Sequence, residues 1–122
     1  MAGFLHNITE VARQLKLSVT VHNGDFNVED LAAIIEQQFQ IDPFSRALFL
    51  FCGRRADRIK GLLWEGDGFL LLYKRLESGR FQWPRDSAEA KRVTPQQLRW
   101  LLEGLSIEQK TAIREVRPAI CS

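Results

Sequence analysis

The sequence predicts an α+β fold, in which an antiparallel meander sheet of four to five strands has a long helix before it and one or two helices after it. Two observations carry this prediction. Runs of β-branched, aliphatic and aromatic residues recur at short intervals through the middle of the chain, as they do in hairpin-connected strands. The segments on either side instead place apolar residues three or four positions apart, which is the period of an amphipathic helix.

Length and composition predict one folded unit. The chain has 122 residues, of which 45% are hydrophobic, and this is ample for one core. We expect a single domain over residues 1–122, with residues 1–17 as a variable N-terminal extension and residues 118–122 as a frayed tail. No segment approaches the run of about 18 apolar residues that a membrane span needs, so we expect no membrane partner.

The first elements are an amphipathic segment, a strand and the long helix. The amphipathic segment covers residues 8–17, and the alternating residues 17–22 predict a strand that ends at a turn containing Gly24. Asn27 suits the N-cap of a helix over residues 28–39. That helix closes before Pro43, because the residue preceding proline is pushed out of the α region.

Four further strands are predicted, over residues 47–52, 58–64, 69–76 and 80–83. The spacers between them are three to five residues long and contain glycine, as in antiparallel hairpins. Pro84 ends the last strand, since it has no N–H to give to a sheet ladder.

Helical signals return after these strands. Thr94, Pro95 and Gln97 form the pattern of a capping box with proline at the first helical position. Gly104 suits the C-cap. The expected buried stripe consists of Leu98, Leu101, Leu102 and Leu105. A second short helix is predicted over residues 106–116.

Catalytic, metal and cofactor chemistry find little support. The two histidines and two cysteines show none of the paired spacings of zinc sites. The interval from Cys52 to Arg58 matches the phosphate loop of cysteine phosphatases. Here, however, it joins two predicted strands, and Phe51 stands where those enzymes have a histidine. We therefore expect a buried structural cysteine, no enzyme activity, no metal and no cofactor, and the lack of a disulfide framework favours a cytoplasmic protein.

Charge is distributed unevenly along the chain. Residues 46–85 hold nine Lys and Arg against four Asp and Glu, whereas residues 1–45 hold two against six. If the turn at residues 65–68 pairs Trp64 with Phe69, then Lys60 meets Tyr73 and Arg58 meets Arg75 on one face. Like charges in opposition destabilise a sheet unless an anion lies between them.

A basic sheet face with aromatic residues suggests binding to nucleic acid, because phosphates attract arginine and unpaired bases stack on aromatic rings. An alternative reading places the aromatic residues in the core and pairs the arginines with neighbouring carboxylates. The candidate nucleic-acid-binding residues are Arg54, Arg55, Arg58, Lys60, Tyr73, Lys74, Arg75, Arg80 and Trp83.

The same stretch carries a resemblance to a known family. The runs LFLFCGRR, RIKGLLW, GFLLLYKRLE and GRFQWP, followed by TPQQLRWLLEGLSIEQ, resemble the TnpB accessory proteins, or second-frame proteins, of bacterial insertion sequences of family 66. This resemblance implies a role in transposition beside a separate transposase that carries the catalytic carboxylates. The family's Arg-Lys pair before the first long helix is absent here.

Two functional hypotheses follow. The first is a non-catalytic accessory protein of DNA transposition that binds the insertion-sequence ends through the basic sheet face and is nucleoid-associated when bound. The second is a protein-interaction adaptor that docks on the transposase without touching DNA.

Overall fold

A computed structural model of the chain describes residues 4–85 and 90–107. Its elements, in chain order, are α1 (Phe4–Gln14), β1 (Ser18–Asn23), a 3-10 turn (Val28–Asp30), α2 (Leu31–Gln37), β2 (Ala47–Cys52), β3 (Arg58–Trp64), β4 (Phe69–Arg75), β5 (Ala90–Val93) and α3 (Pro95–Leu102).

The five strands form one mixed sheet in the order β4-β3-β2-β1-β5. β1 and β2 are parallel, while the other neighbouring pairs are antiparallel. The predicted α+β class is confirmed, and β2, β3 and β4 form the expected meander. The parallel pair was not predicted; it requires the crossover that α2 supplies between β1 and β2.

The β3–β4 hairpin has the predicted register. Trp64 lies opposite Phe69, Lys60 opposite Tyr73, and Arg58 opposite Arg75. The turn is closed by the Glu65 N–H, which donates to the carbonyl of Gly68 at 2.9 Å. Gly66 occupies the left-handed region at φ +93°, which glycine adopts without steric cost.

Helices cover both faces of the sheet. On one face, α1 and α3 bury residues such as Ala12 and Leu101 against Val21, Leu50 and Leu72. On the other face, α2 buries Leu31 and Ile35 against Phe49 and Phe51. Every residue of β2 is buried as a result, as is typical of a strand covered on both sides.

The long helix over residues 28–39 is not confirmed. The Asn27 side chain forms no capping hydrogen bond, and residues 28–30 adopt a 3-10 turn before the shorter α2 begins. The chain leaves the helix at its other end through Gln40, whose φ of +55° is left-handed. The segment at residues 8–17 is helical as α1, which begins earlier, at Phe4, and ends at Gln14.

The predicted strand over residues 80–83 is wrong. Phe81 uses its N–H to bond the carbonyl of Ala56 at 2.6 Å instead of a neighbouring strand, and the buried Trp83 donates from Nε1 to the carbonyl of His22 at 3.0 Å. The fifth strand is β5, which pairs with the open edge of β1.

The start and end of α3 follow the prediction. Thr94 and Gln97 form the full capping box, and Gly104 is left-handed at φ +84°. Leu98, Leu101 and Leu102 are buried, whereas Leu105 is 42% exposed and does not belong to the stripe. Beyond residue 107 the second predicted helix and the tail lie outside the described residues.

Candidate nucleic-acid interface

Two loops meet at one end of the sheet and bring arginines together. Residues 53–57 join β2 to β3, and the chain that leaves β4 returns beside them. The Leu76 N–H donates to the carbonyl of Asp57 at 2.7 Å, and Phe81 is bonded to Ala56. Residues distant in sequence are thereby held at one site, the arginine rim, which consists of Arg54, Arg55, Arg75 and Arg80.

The arginine rim is exposed, and its guanidinium groups lack a direct ion pair with any described residue, although Asp25, Asp57 and Glu77 also line the clefts beside it. All four side chains belong to exposed residues, and none forms a salt bridge or hydrogen bond with a residue that the structure describes. Arg54 and Arg55 line two adjoining clefts, of about 940 Å³ and 470 Å³. Arg75 and Arg80 line the smaller cleft. An anion in either cleft would meet several guanidinium groups, which favour phosphate oxygens as partners.

Arg58 lies beside the rim but already has a partner. Its Nε and Nη2 atoms donate to the two carboxylate oxygens of Asp57 at 3.0 and 3.3 Å, and its side chain is 23% exposed. This hydrogen bonding is the main reason that the pKa of Asp57 is lowered. Asp57 therefore stays ionised and reduces the charge that Arg58 offers to a ligand.

Lys60 is held still more firmly. Its Nζ atom donates to the Asp25 carboxylate at 3.0 Å and to the carbonyl of Phe26 at 2.7 Å. The side chain is 13% exposed, and the ammonium lies 5.9 Å from the centroid of the Tyr73 ring. The segment before α2 thus covers the middle of the predicted basic face, and Lys60 fastens that segment to the sheet.

The remaining candidate residues are divided between the two faces and the core. Tyr73 is 52% exposed and shares its face with Arg75. Lys74 alternates to the opposite face, where its β3 neighbour Ile59 belongs to the α1–α3 side of the core. Trp83 is 6% exposed and bonded to β1, so this structure offers no ring face there for a base.

Asn23, Asp25 and Arg85 lie outside the predicted set and line the larger cleft. Arg85 donates to the carbonyls of Cys52 and Gly53 and to the Asn23 side chain. Asp25 supplies the carboxylate that neutralises Lys60. The parallel pairing of β1 with β2 puts the ends of both strands at one edge of the sheet and so accounts for the place of Asn23 and Asp25; no pattern in the sequence points to the contacts of Arg85.

The thiol of Cys52 lies at this end of the sheet, at the last residue of β2. Burial raises the pKa of the Cys52 thiol to about 11, which leaves little thiolate near neutral pH. The loop that follows Cys52 leads into the strand β3, whereas the phosphate loop of cysteine phosphatases leads into a helix. Among residues 4–85 and 90–107, no three His, Cys, Asp or Glu residues cluster in a way that would hold a metal ion.

The other end of the same hairpin is aromatic. The rings of Phe44, Trp64 and Phe69 lie with their centroids 4.9 to 5.2 Å apart, and Phe44 is 52% exposed. Leu71, the next residue on this face toward the arginine rim, is 44% exposed. One face of the hairpin therefore changes from aromatic and aliphatic to cationic along its length.

Comparison with known proteins assigns the chain to a family. The family model described as IS66 Orf2 like protein matches residues 17–112. No solved structure matches the chain. In the described ranges, no helix combines the length and the apolar character needed to cross a membrane.

Two relatives come from Sinorhizobium fredii (strain NBRC 101917 / NGR234). The uncharacterized protein y4jC is 31% identical over 96 residues, which cover 77% of this chain and 82% of the relative. The uncharacterized protein y4hO is 36% identical over 75 residues, which cover 62% of this chain and 65% of the relative. With the family model spanning most of the described fold, the chain belongs to the IS66 Orf2-like family.

Proposed function

We propose that this protein is a non-catalytic accessory protein of DNA transposition that binds nucleic acid through the arginine rim. Family membership supports the accessory role. The observation that carries the binding proposal is the convergence of four exposed arginines from two chain segments, none of them in a salt bridge with a described residue.

The arrangement of charge favours a polyanion as the ligand. Arg58 and Arg75 lie directly opposite each other on β3 and β4, and such a like-charge pair costs stability in the free protein. Asp57 pairs with Arg58 and reduces this repulsion, but Arg75 and the loop arginines have no ion-pair partner of their own among the described residues. Phosphate groups in the two clefts would remove this repulsion, and binding would release counterions from the nucleic acid.

Tyr73 extends the proposed contact surface. It lies two positions from Arg75 on the same strand, so both side chains project from one face. A phosphate on Arg75 would bring an unpaired base within reach of the half-exposed ring, and stacking of this kind is tolerant of sequence. The rim therefore suits backbone recognition, with Tyr73 favouring distorted or single-stranded DNA at element ends.

The test compares two doubly substituted proteins of equal charge. One is Arg55→Ala/Arg75→Ala in the rim. The control is Arg13→Ala/Arg99→Ala, which removes exposed arginines of α1 and α3 that pair with Glu10 and Glu103. Fluorescence anisotropy with element-end DNA, double- and single-stranded, is measured over a series of salt concentrations.

We expect the rim variant to bind more weakly, with the logarithmic salt slope reduced by about 0.9 for each lost phosphate contact on duplex DNA. The control should retain the slope of the unsubstituted protein. Equal losses of DNA affinity in both variants would mean that net charge alone causes the effect. An absence of binding by the unsubstituted protein at low salt would contradict the proposal.

The aromatic end supports a second candidate function, an adaptor that docks on the transposase. Phe44 is half exposed within a ring cluster, and aromatic residues often anchor protein interfaces. Co-purification with the transposase that survives Arg55→Ala/Arg75→Ala but is lost in Phe44→Ala would favour this function over DNA binding.

A further inference from the structure

β4 has a strand neighbour on one side only within the described part of the chain. Its seven residues, FLLLYKR, contain no proline or glycine and begin with four apolar side chains. A long apolar edge of this kind is a template for pairing with another strand, and proteins normally cover, charge or pair such edges.

The alternation of hydrogen-bonded pairs along the hairpin identifies which backbone N–H and C=O groups of β4 point outward. Glu65 N–H bonds Gly68, and Leu76 N–H bonds Asp57. Since the bonded positions alternate along an antiparallel ladder, the even-numbered residues of β4 face β3. The backbone N–H and C=O groups of Phe69, Leu71, Tyr73 and Arg75 therefore point away from the sheet, along its open edge.

Two of these outward-facing positions also expose large side chains. Leu71 is 44% and Tyr73 is 52% exposed, and they are the central outward residues of the strand. The edge thus combines unpaired backbone groups with an apolar patch at its middle and positive charge at the Lys74–Arg75 end.

We propose that β4 is a self-association edge, on which a second copy of this chain pairs its own β4 in antiparallel orientation about a two-fold axis at Leu72. In this register Leu71 of one copy lies opposite Tyr73 of the other, and Phe69 lies opposite Arg75. These are the residues whose backbone groups point outward, so each opposed pair can exchange hydrogen bonds.

The self-pairing of β4 is compatible with its charges only in the antiparallel orientation. In the antiparallel register Lys74 lies opposite Leu70 and Arg75 opposite an aromatic ring, so no two cations oppose each other. Arginine over an aromatic ring is itself favourable. A parallel pairing in register would place Lys74 and Arg75 beside their own copies, which like-charge repulsion disfavours.

Centring the axis on Leu72 also overlaps all seven residues of the strand, which buries the most edge. The sheet then continues through both copies, and the two arginine rims lie at opposite ends of the shared interface. This arrangement does not require that the rims bind DNA, but Tyr73 and Arg75 belong to both proposed surfaces.

The experiment measures oligomeric state and edge protection in the full-length chain. Sedimentation over a range of concentrations is expected to show a reversible monomer–dimer equilibrium. In the dimer, hydrogen exchange at the amides of Phe69, Leu71, Tyr73 and Arg75 should slow on association, whereas the β3-bonded amides of Leu70 and Leu72 are protected in both states.

Two substitutions separate the edge from the fold. Tyr73→Pro removes an outward N–H and leaves the β3 ladder its donors, since edge strands accept proline; Leu71→Asp places a charge at an exposed position in the centre of the pairing. Each is expected to weaken self-association by about tenfold or more. The control, Leu15→Asp, alters a residue that is 50% exposed just after α1 and should leave association unchanged.

A protein that stays monomeric at high concentration, or a dimer that persists in Leu71→Asp, overturns the proposal. Slow exchange at the odd-numbered β4 amides only when the transposase is added to a monomeric protein also overturns it, and assigns the edge to a foreign strand.

Discussion

The middle of the β3–β4 hairpin and the arginine rim both carry cationic side chains, but these side chains have different partners. Lys60 is 13% exposed and donates to Asp25 and to the carbonyl of Phe26. Arg75 lies on the same face two rows away, is exposed, and has no salt-bridge partner among the described residues. One cation holds a loop onto the sheet, and the other remains available to a ligand.

The difference in ion pairing arises because another segment of the chain packs over the middle of the hairpin. The segment from Asp25 to the 3-10 turn lies over the middle of the hairpin and brings a carboxylate with it. The rim arginines form no salt bridge with a described residue, although Asp25 and Asp57 line the larger cleft beside Arg54 and Arg55. Positive residues in a strand therefore stay available to a ligand only where no carboxylate is bonded directly to them.

The largest effect on stability should come from a residue whose side chain is buried in the core. Trp83→Ala removes a buried ring and the hydrogen bond to His22, and we expect a loss of about 3–5 kcal/mol in the free energy of unfolding, measured with urea. Trp83→Phe keeps most of the apolar volume and should cost much less. If Trp83→Phe had nearly normal stability but bound DNA more weakly, the indole ring would have to contribute to DNA binding.

A smaller effect is expected at the middle of the hairpin. Lys60→Met keeps the apolar stem but removes the ammonium that bonds Asp25 and Phe26. Because Asp25 is exposed and can be hydrated after the change, unfolding should become easier by only about 1–2 kcal/mol. The salt slope of DNA binding should stay that of the unsubstituted protein, and a clear reduction would place Lys60 in the binding surface.

The smallest effect has the opposite sign. Arg75→Glu changes the like-charge pair with Arg58 into an opposite-charge pair, so we expect the protein to gain about 0.2–1 kcal/mol of stability in chemical denaturation. DNA affinity should fall in the same protein. The control Arg75→Gln removes the repulsion with Arg58 without creating an attraction. A destabilised Arg75→Glu protein would mean that the two arginines do not repel each other.

The sequence was informative where local signals decide the structure. The alternation in the two strands and the short glycine turn predicted the hairpin register, and Thr94 with Gln97 predicted the start of α3. In each case the interacting residues lie within a few positions of one another or are fixed by one turn.

The remainder depends on contacts between distant segments. β5 has only four residues and pairs with β1 because that strand has an open edge, which no local pattern reveals. The Lys60–Asp25 bridge and the burial of Trp83 likewise require knowledge of which segment crosses which face. The basic residues could therefore be found from the sequence. Which of them form ion pairs within the protein, and which do not, could not be predicted.

β5 has a further consequence for the order in which the protein assembles during synthesis. It fills the edge of β1, a strand made near the beginning of the chain. During translation β1 leaves the ribosome long before β5, so the β1 edge stays open until residues 90–93 emerge, and the nascent chain is exposed meanwhile to strand exchange with its neighbours. The sheet is thus completed late in synthesis, and a chain terminated ahead of β5 would leave the edge of β1 open.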